Sequence, residues 1–201
     1  MSLESTIDLD NFIKKERIGI GSFGEVYKIL DKETGYFYAA KISLLPLGSS
    51  SKSEIRNLKR EIKILSLLNH KSILKFIGFC PYNFNKEDKP IIITELISNG
   101  SLEQIITLNR RQLAAIGWDA TRKLTTIYGI ASAMKYLHEH KIIHRDLKPG
   151  NILMDEYLIP KIADFGLSKI THSNEDNPTD PSTQNSKGTP AYMAPEIWKE
   201  L

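Results

Sequence analysis

The chain has 201 residues, 41% apolar and 25% charged, which is enough for one sizeable domain or two small lobes of a globular protein. A net charge of +3 is mild, and no block of Lys and Arg interleaved with aromatics points to a nucleic-acid surface. Cys80 is the only cysteine, so an internal disulfide and a multi-cysteine metal site are both excluded.

The N-terminal 19 residues lack the apolar core of a signal peptide, and no stretch reaches the roughly 18 consecutive apolar residues of a membrane span. The expectation is a cytoplasmic protein with neither membrane nor nucleic acid as a partner. Residues 1–10 read as an N-terminal extension. "ERIGIG" and "EVYKIL" predict two strands joined by a glycine-rich turn. "GYFYAAKI" predicts a third, with Phe37, Ala39 and Lys41 on one face by the period of two. Ile55, Leu58, Ile62 and Leu65 recur at helical spacing and predict an amphipathic helix over 54–68. "SILKFIGFC" and "PIIITELI" read as further strands around the polar loop "PYNFNKEDK".

A boundary between lobes is expected near residues 98–100, dividing 11–97 from 98–201. Beyond it the character turns helical. Leu124, Ile127, Ala131, Met134 and Leu137 mark a helix over 121–138. "NILM" and "KIA" suit a small hairpin, and the polar stretch at 171–185 reads as a flexible loop.

Several motifs carry chemistry. "GIGSFGEV" places Gly19, Gly21 and Gly24 where backbone N–H groups could approach phosphate oxygens. The same glycines suit a dinucleotide fold or a plain hairpin turn; the alternation in "EVYKIL" favours a strand after them. Lys41 lies mid-strand, where a charge is costly unless paired. Glu61, at the edge of the Leu58–Leu65 stripe, can face inward to meet it. A snorkelling lysine and a solvated helix-edge glutamate are the alternatives. "HRDLKPGN" is more specific. Asp146 can accept the proton of a hydroxyl, Lys148 can offset charge on a transferring phosphoryl group, and Asn151 can ligate Mg²⁺ through its amide oxygen. "ADFG" adds a second oxygen ligand, Asp164.

With its glycine loop, strand lysine, helix glutamate, H-R-D-L-K-P-x-N loop, D-F-G and A-P-E in order, the chain resembles the eukaryotic protein kinase family from about residue 11 to its end. The resemblance implies an α+β, two-lobed fold, with a β-rich N-lobe carrying one helix and an incomplete, mainly helical C-lobe, and ATP held between them. It implies that Gly19, Gly21, Ser22, Phe23, Gly24 and Val26 cover the nucleotide. Ala39 and Leu153 would sandwich the adenine, Glu95, Leu96 and Ile97 would form the hinge at its edge, and Thr94 would limit the back of the pocket. Lys41, paired with Glu61, would hold the α- and β-phosphates. Asn151 and Asp164 would bind Mg²⁺, and Asp146 would be the catalytic carboxylate, with Lys148 beside it.

Lys148 and Thr189 in "KGTPAYMAPE" resemble the serine/threonine pattern, and "TELISNGSLEQII" resembles the tyrosine-kinase-like group. The implied partners are ATP and protein substrates with Ser or Thr acceptors. Arg145 would order a phosphorylated activation loop, with Thr179, Ser182, Thr183 and Ser186 as acceptor candidates; hydroxyls of a solvated linker read equally well. Gly150 stands where many family members have Glu. Family domains continue past A-P-E, so a catalytically weak or inactive ATP-binding, regulatory, pseudokinase-like module is the alternative function.

Overall fold

The glycine-rich stretch forms a hairpin. Strands β1 (Phe12–Gly21) and β2 (Gly24–Asp31) pair antiparallel, and their last pair is Gly21 with Gly24. A strand thus follows the last glycine, where a dinucleotide fold would open a helix. β1 begins at Phe12 rather than Glu16, and its register shifts twice between Lys14 and Gly19. In the computed structural model the described residues are 6–21, 24–50, 52–113, 117–171 and 188–198. They fall into two units, residues 1–68 with 75–97, and residues 69–74 with 98–201.

In the first unit, β3 (Phe37–Ser43), β4 (Phe76–Cys80) and β5 (Ile91–Glu95) complete a five-stranded sheet in the order β1-β2-β3-β5-β4. One face is a core of Ile29, Ala40, Ile42, Cys80, Ile91 and Ile93, a largely β-branched set suited to a pleated surface. The chain ahead of β1 takes part in this packing. The Ile7 N–H donates to the Phe79 carbonyl at 2.9 Å, and Leu9 is buried in the same core. Helix α1 (Lys52–Leu67) buries Glu61, Ile62, Ile64 and Leu65.

In the second unit, α2 (Leu102–Arg110) begins with a capping box. Ser101 Oγ accepts from the Gln104 N–H at 3.3 Å, and Gln104 Oε1 accepts from the Ser101 N–H at 2.9 Å. Helix α3 (Ala120–Glu139) occupies the predicted span, capped by Asp119, but turns a different face inward. Thr126, Gly129, Ala133 and Leu137 are buried, whereas Leu124 and Ile127 are 68% and 64% exposed. The cause is close approach: a Cβ at Gly129 would lie 2.6 Å from Pro160 Cγ, so a small residue is needed where the helix meets its neighbour.

β6 (Ile142–Ile143) pairs antiparallel with the later β9 (Lys169–Ile170), and β7 (Ile152–Met154) with β8 (Pro160–Ile162), the expected small hairpin. The strand predicted in "SILKFIGFC" starts only at Phe76, because residues 72–74 bond elsewhere. Ile162 N–H donates to Ser72 O, and Leu74 N–H to Ile162 O, both at 2.9 Å. The final described element is α4 (Pro195–Trp198). The chain therefore has a β-sheet N-lobe and a partly helical C-lobe, an α+β fold. Among the described residues no helix is long and apolar enough to cross a membrane.

Candidate active site

The predicted residues gather into one set in each unit. In the first, β3 places Lys41 on the face opposite Ala40 and Ile42, between Val26 of β2 and Ile92 of β5. Its Nζ lies 2.8 Å from Glu61 Oε1. Glu61 is only 7% exposed, so the lysine satisfies a carboxylate that would otherwise be buried at a cost of several kcal/mol. Ala39 lies on the Lys41 face, opposite Thr94. The Thr94 hydroxyl donates to the Glu95 carbonyl at 3.2 Å, and Glu95 Oε1 accepts from the Lys75 N–H at 2.8 Å. Leu96 and Ile97 follow β5 half-buried.

Gly19 and Val26 face each other across the hairpin. Gly24 is glycine for a reason the sequence does not reveal: a Cβ there would run into the Ile42 carbonyl oxygen, so β2 could not lie against β3. Ser22 and Phe23 lie outside the described residues.

In the second unit the loop between β6 and β7 carries His144, Asp146, Lys148 and Asn151. His144 is 1% exposed, and its Nδ1 accepts from the Asp146 N–H at 3.3 Å. Its Nε2 is then the protonated nitrogen and donates to the Ala163 carbonyl at 3.0 Å. Its ring meets Phe165 edge-on at 5.1 Å. Burial holds the imidazole below its ordinary pKa, against the pull of Asp164 and Asp146. Ser168 Oγ bonds the His144 carbonyl at 3.1 Å, which ties the loop to the segment after D-F-G.

Asp146 is the hub. Oδ2 lies 2.9 Å from Lys148 Nζ and accepts from Asn151 Nδ2 at 2.9 Å. Oδ1 accepts from the Thr189 N–H at 2.8 Å and the Thr189 hydroxyl at 2.7 Å. Lys148 also donates to that hydroxyl at 2.6 Å. Burial alone would raise the Asp146 pKa, but the bonds from Lys148, Thr189 and Asn151 outweigh it and hold the carboxyl below its ordinary range. Asp146 is therefore ionised at neutral pH.

Asn151 spends its amide nitrogen on Asp146, at the carbonyl (2.8 Å) as well as the carboxylate, which leaves the amide oxygen as its available ligand atom. The Ala163 N–H donates to the Asn151 carbonyl at 2.9 Å, so Asn151 lies beside the residue preceding Asp164. An amide oxygen and a carboxylate are a donor set suited to a hard divalent cation completed by phosphate oxygens and water. Asp164 and Arg145 both have positive φ, 63° and 71°, an uncommon conformation for side-chain-bearing residues that clusters at working sites. Leu153 sits in β7, half-buried, bridged to Ser101.

Sequence reasoning named Thr189 only as part of a pattern and missed Gly188 and Glu103. Gly188 has φ 144°, and a Cβ there would lie 2.8 Å from the Arg145 carbonyl oxygen. Glu103 of α2 reaches over Gly150, its Oε2 3.3 Å from where a Cβ would stand. That glycine leaves room for a carboxylate from another element. Thr179, Ser182, Thr183 and Ser186 lie outside the described residues.

A β-sheet lobe with a Lys–Glu pair, and a helical lobe whose loop holds an Asp–Lys–Asn cluster beside an Asp-Phe-Gly turn, are the features expected of a protein kinase domain. The chain belongs to the protein kinase domain family, which it matches over residues 12–200.

Among curated proteins it is similar to cysteine-rich receptor-like protein kinase 29 of Arabidopsis thaliana, 39% identical over 192 residues, covering 93% of this chain and 26% of that protein. It is also similar to cysteine-rich receptor-like protein kinase 10 of Oryza sativa subsp. japonica, 37% identical over 190 residues, 93% and 27%. A G-type lectin S-receptor-like serine/threonine-protein kinase of Arabidopsis thaliana is 34% identical over 190 residues, 93% and 21%. The chain spans about a quarter of the length of the relatives it matches.

Proposed function

We propose that the chain is the catalytic part of a protein serine/threonine kinase, which moves the γ-phosphoryl group of ATP to Ser or Thr hydroxyls of protein substrates. The observation that carries this reading is the Thr189 hydroxyl, held at 2.7 Å by Asp146 Oδ1 and at 2.6 Å by Lys148 Nζ. The cluster binds an aliphatic hydroxyl between a carboxylate that can orient it and take its proton and an ammonium that can offset charge on the phosphoryl oxygens. In the proposed step the acceptor oxygen forms a bond to the γ-phosphorus while the bond to the β-bridging oxygen breaks. The hydroxyl proton passes to Asp146 Oδ1, and ADP leaves. Lys41, fixed by Glu61, orients the α- and β-phosphates. Asn151 and Asp164 would hold Mg²⁺, which when bound supplies charge neutralisation at the phosphates.

A second reading, an ATP-binding module without turnover, is favoured by one observation. Four internal donors already occupy the Asp146 carboxylate, about its full capacity. A substrate hydroxyl must then displace that of Thr189.

Phosphotransfer to Ser-, Thr- and Tyr-containing peptides, together with melting with and without Mg-ATP, separates the two. The kinase reading expects transfer to Ser and Thr peptides that falls about 10²-fold or more in Asp146→Ala, and Mg-ATP stabilisation lost in Lys41→Ala. Stabilisation without transfer would establish the binding module in its place. Neither effect in a folded preparation would overturn both.

A further inference from the structure

We infer that the outer face of α1 is a docking ridge for an extended acidic polypeptide segment. The helix carries five basic residues, Lys52, Arg56, Lys59, Arg60 and Lys63, against two acidic ones, Glu54 and Glu61. That excess of three equals the net charge of the whole chain, so the charges of the remainder sum to zero. Arg56, Lys59 and Lys63 are exposed, and their spacing of three and four puts them in one row within about 60° of the helix circumference over about 10 Å of its length. Both glutamates lie on the far side by the same periodicity, and Glu61 is buried against Lys41.

The row defines its occupant by charge and spacing. Its cations step along the helix by roughly 4.5 to 6 Å, and the same-face side chains of an extended strand step by roughly 6.5 to 7 Å. Two or three carboxylates or phosphates on alternate residues of one segment can therefore meet the row together. Single-stranded nucleic acid is disfavoured because the row has no aromatic side chain on which bases could stack. A bilayer is disfavoured because Leu67, 58% exposed and last in the row, is its one large apolar group, too little surface to insert. Complementary charge across such a surface raises association rate and selectivity, and its effect falls with salt.

The test uses a capped, dye-labelled peptide of alternating Glu and Ser, about twelve residues long, titrated by fluorescence anisotropy at low and physiological salt. A Gln–Ser peptide is the control. Lys59→Glu/Lys63→Glu reverses the row, and Lys135→Glu reverses an exposed lysine on α3 whose side chain is 78% exposed. The expected result is salt-sensitive binding of the acidic peptide, weakened about tenfold or more by the row reversal and within about twofold of the parent in Lys135→Glu. A Lys–Ser peptide should bind the reversed row better than the parent. No binding, equal loss in Lys135→Glu, or row-dependent capture by phosphatidylserine vesicles or single-stranded DNA in place of the peptide would each overturn the inference. The readout is binding alone, so the kinase reading stands or falls separately.

Discussion

Gly188→Ala tests whether the Thr189–Asp146 contact depends on the backbone in front of it. At φ 144° an L side chain is strained, at a cost of about 1–2 kcal/mol. The new Cβ would also stand 2.8 Å from the Arg145 carbonyl oxygen, so the segment must retreat by several tenths of an ångström. Thr189 is the next residue, and its N–H and hydroxyl reach Asp146 Oδ1 at 2.8 and 2.7 Å. Losing one such charge-assisted bond costs about 1.5–3 kcal/mol.

The total is about 2.5–5 kcal/mol, a melting temperature lowered by roughly 5–20 °C in a chain of this size. A double-mutant cycle with Thr189→Val locates the effect: if Gly188 acts through Thr189, the alanine costs at least about 1 kcal/mol less in the valine background. Thermal melts of the four proteins supply the cycle. A Gly188→Ala melt within a degree of the parent, or strictly additive effects, would refute the reasoning.

Lys41→Met should destabilise the first unit by leaving Glu61 buried without its cation, while Lys41→Met/Glu61→Leu recovers most of the loss without restoring any Mg-ATP shift in the melt. His144 has a folded pKa below its ordinary 6.5. The unfolded chain therefore takes up a proton first, and stability falls as pH drops below about 6.5, by at most about 1.4 kcal/mol per pH unit from this residue. Denaturant titrations at several pH values should show a shallower slope in His144→Gln. Asp146 shifts downward too, so its contribution is present above about 3.8 and is lost only below that value. On α3, Leu124→Gln and Ile127→Gln should each move stability by less than about 0.5 kcal/mol, whereas Gly129→Ala should cost about 1–3 kcal/mol against Pro160. Chemical denaturation checks all three.

Local regularities made much of this molecule legible. Alternation in "EVYKIL" and "GYFYAAKI", and the spacing of Ile62 and Leu65, led to the hairpin, the third strand and α1. Those elements bring Lys41 to Glu61. The errors arose where long-range packing decides. Leu124 and Ile127 helped to mark the helix by their spacing, but α3 approaches β8 through Gly129, and closeness selects smallness over hydrophobicity on the buried face. Ile73 looked like strand, yet its neighbours' hydrogen bonds go to Ile162, a partner far along the chain. The Asp146–Thr189 contact spans 43 residues and has no periodic signature. The α2 capping box, by contrast, has a local signature in "SLEQ", a serine followed three residues later by a glutamine.

The route of residues 69–74 has a consequence for dissection. They lie in sequence between α1 and β4, yet their hydrogen bonds are made with the second unit: Ser72 and Leu74 with Ile162, and the Asn69 N–H with the Tyr136 hydroxyl at 3.1 Å. A fragment ending at Ile97 would keep this loop without its partners and expose Ile73, which is 2% exposed in the intact chain. A fragment starting at Ser98 would leave both backbone groups of Ile162 unbonded on an open strand edge. Neither half is a self-contained module, so splitting the chain between its lobes should yield two sticky pieces whose most stable outcome is to find each other again.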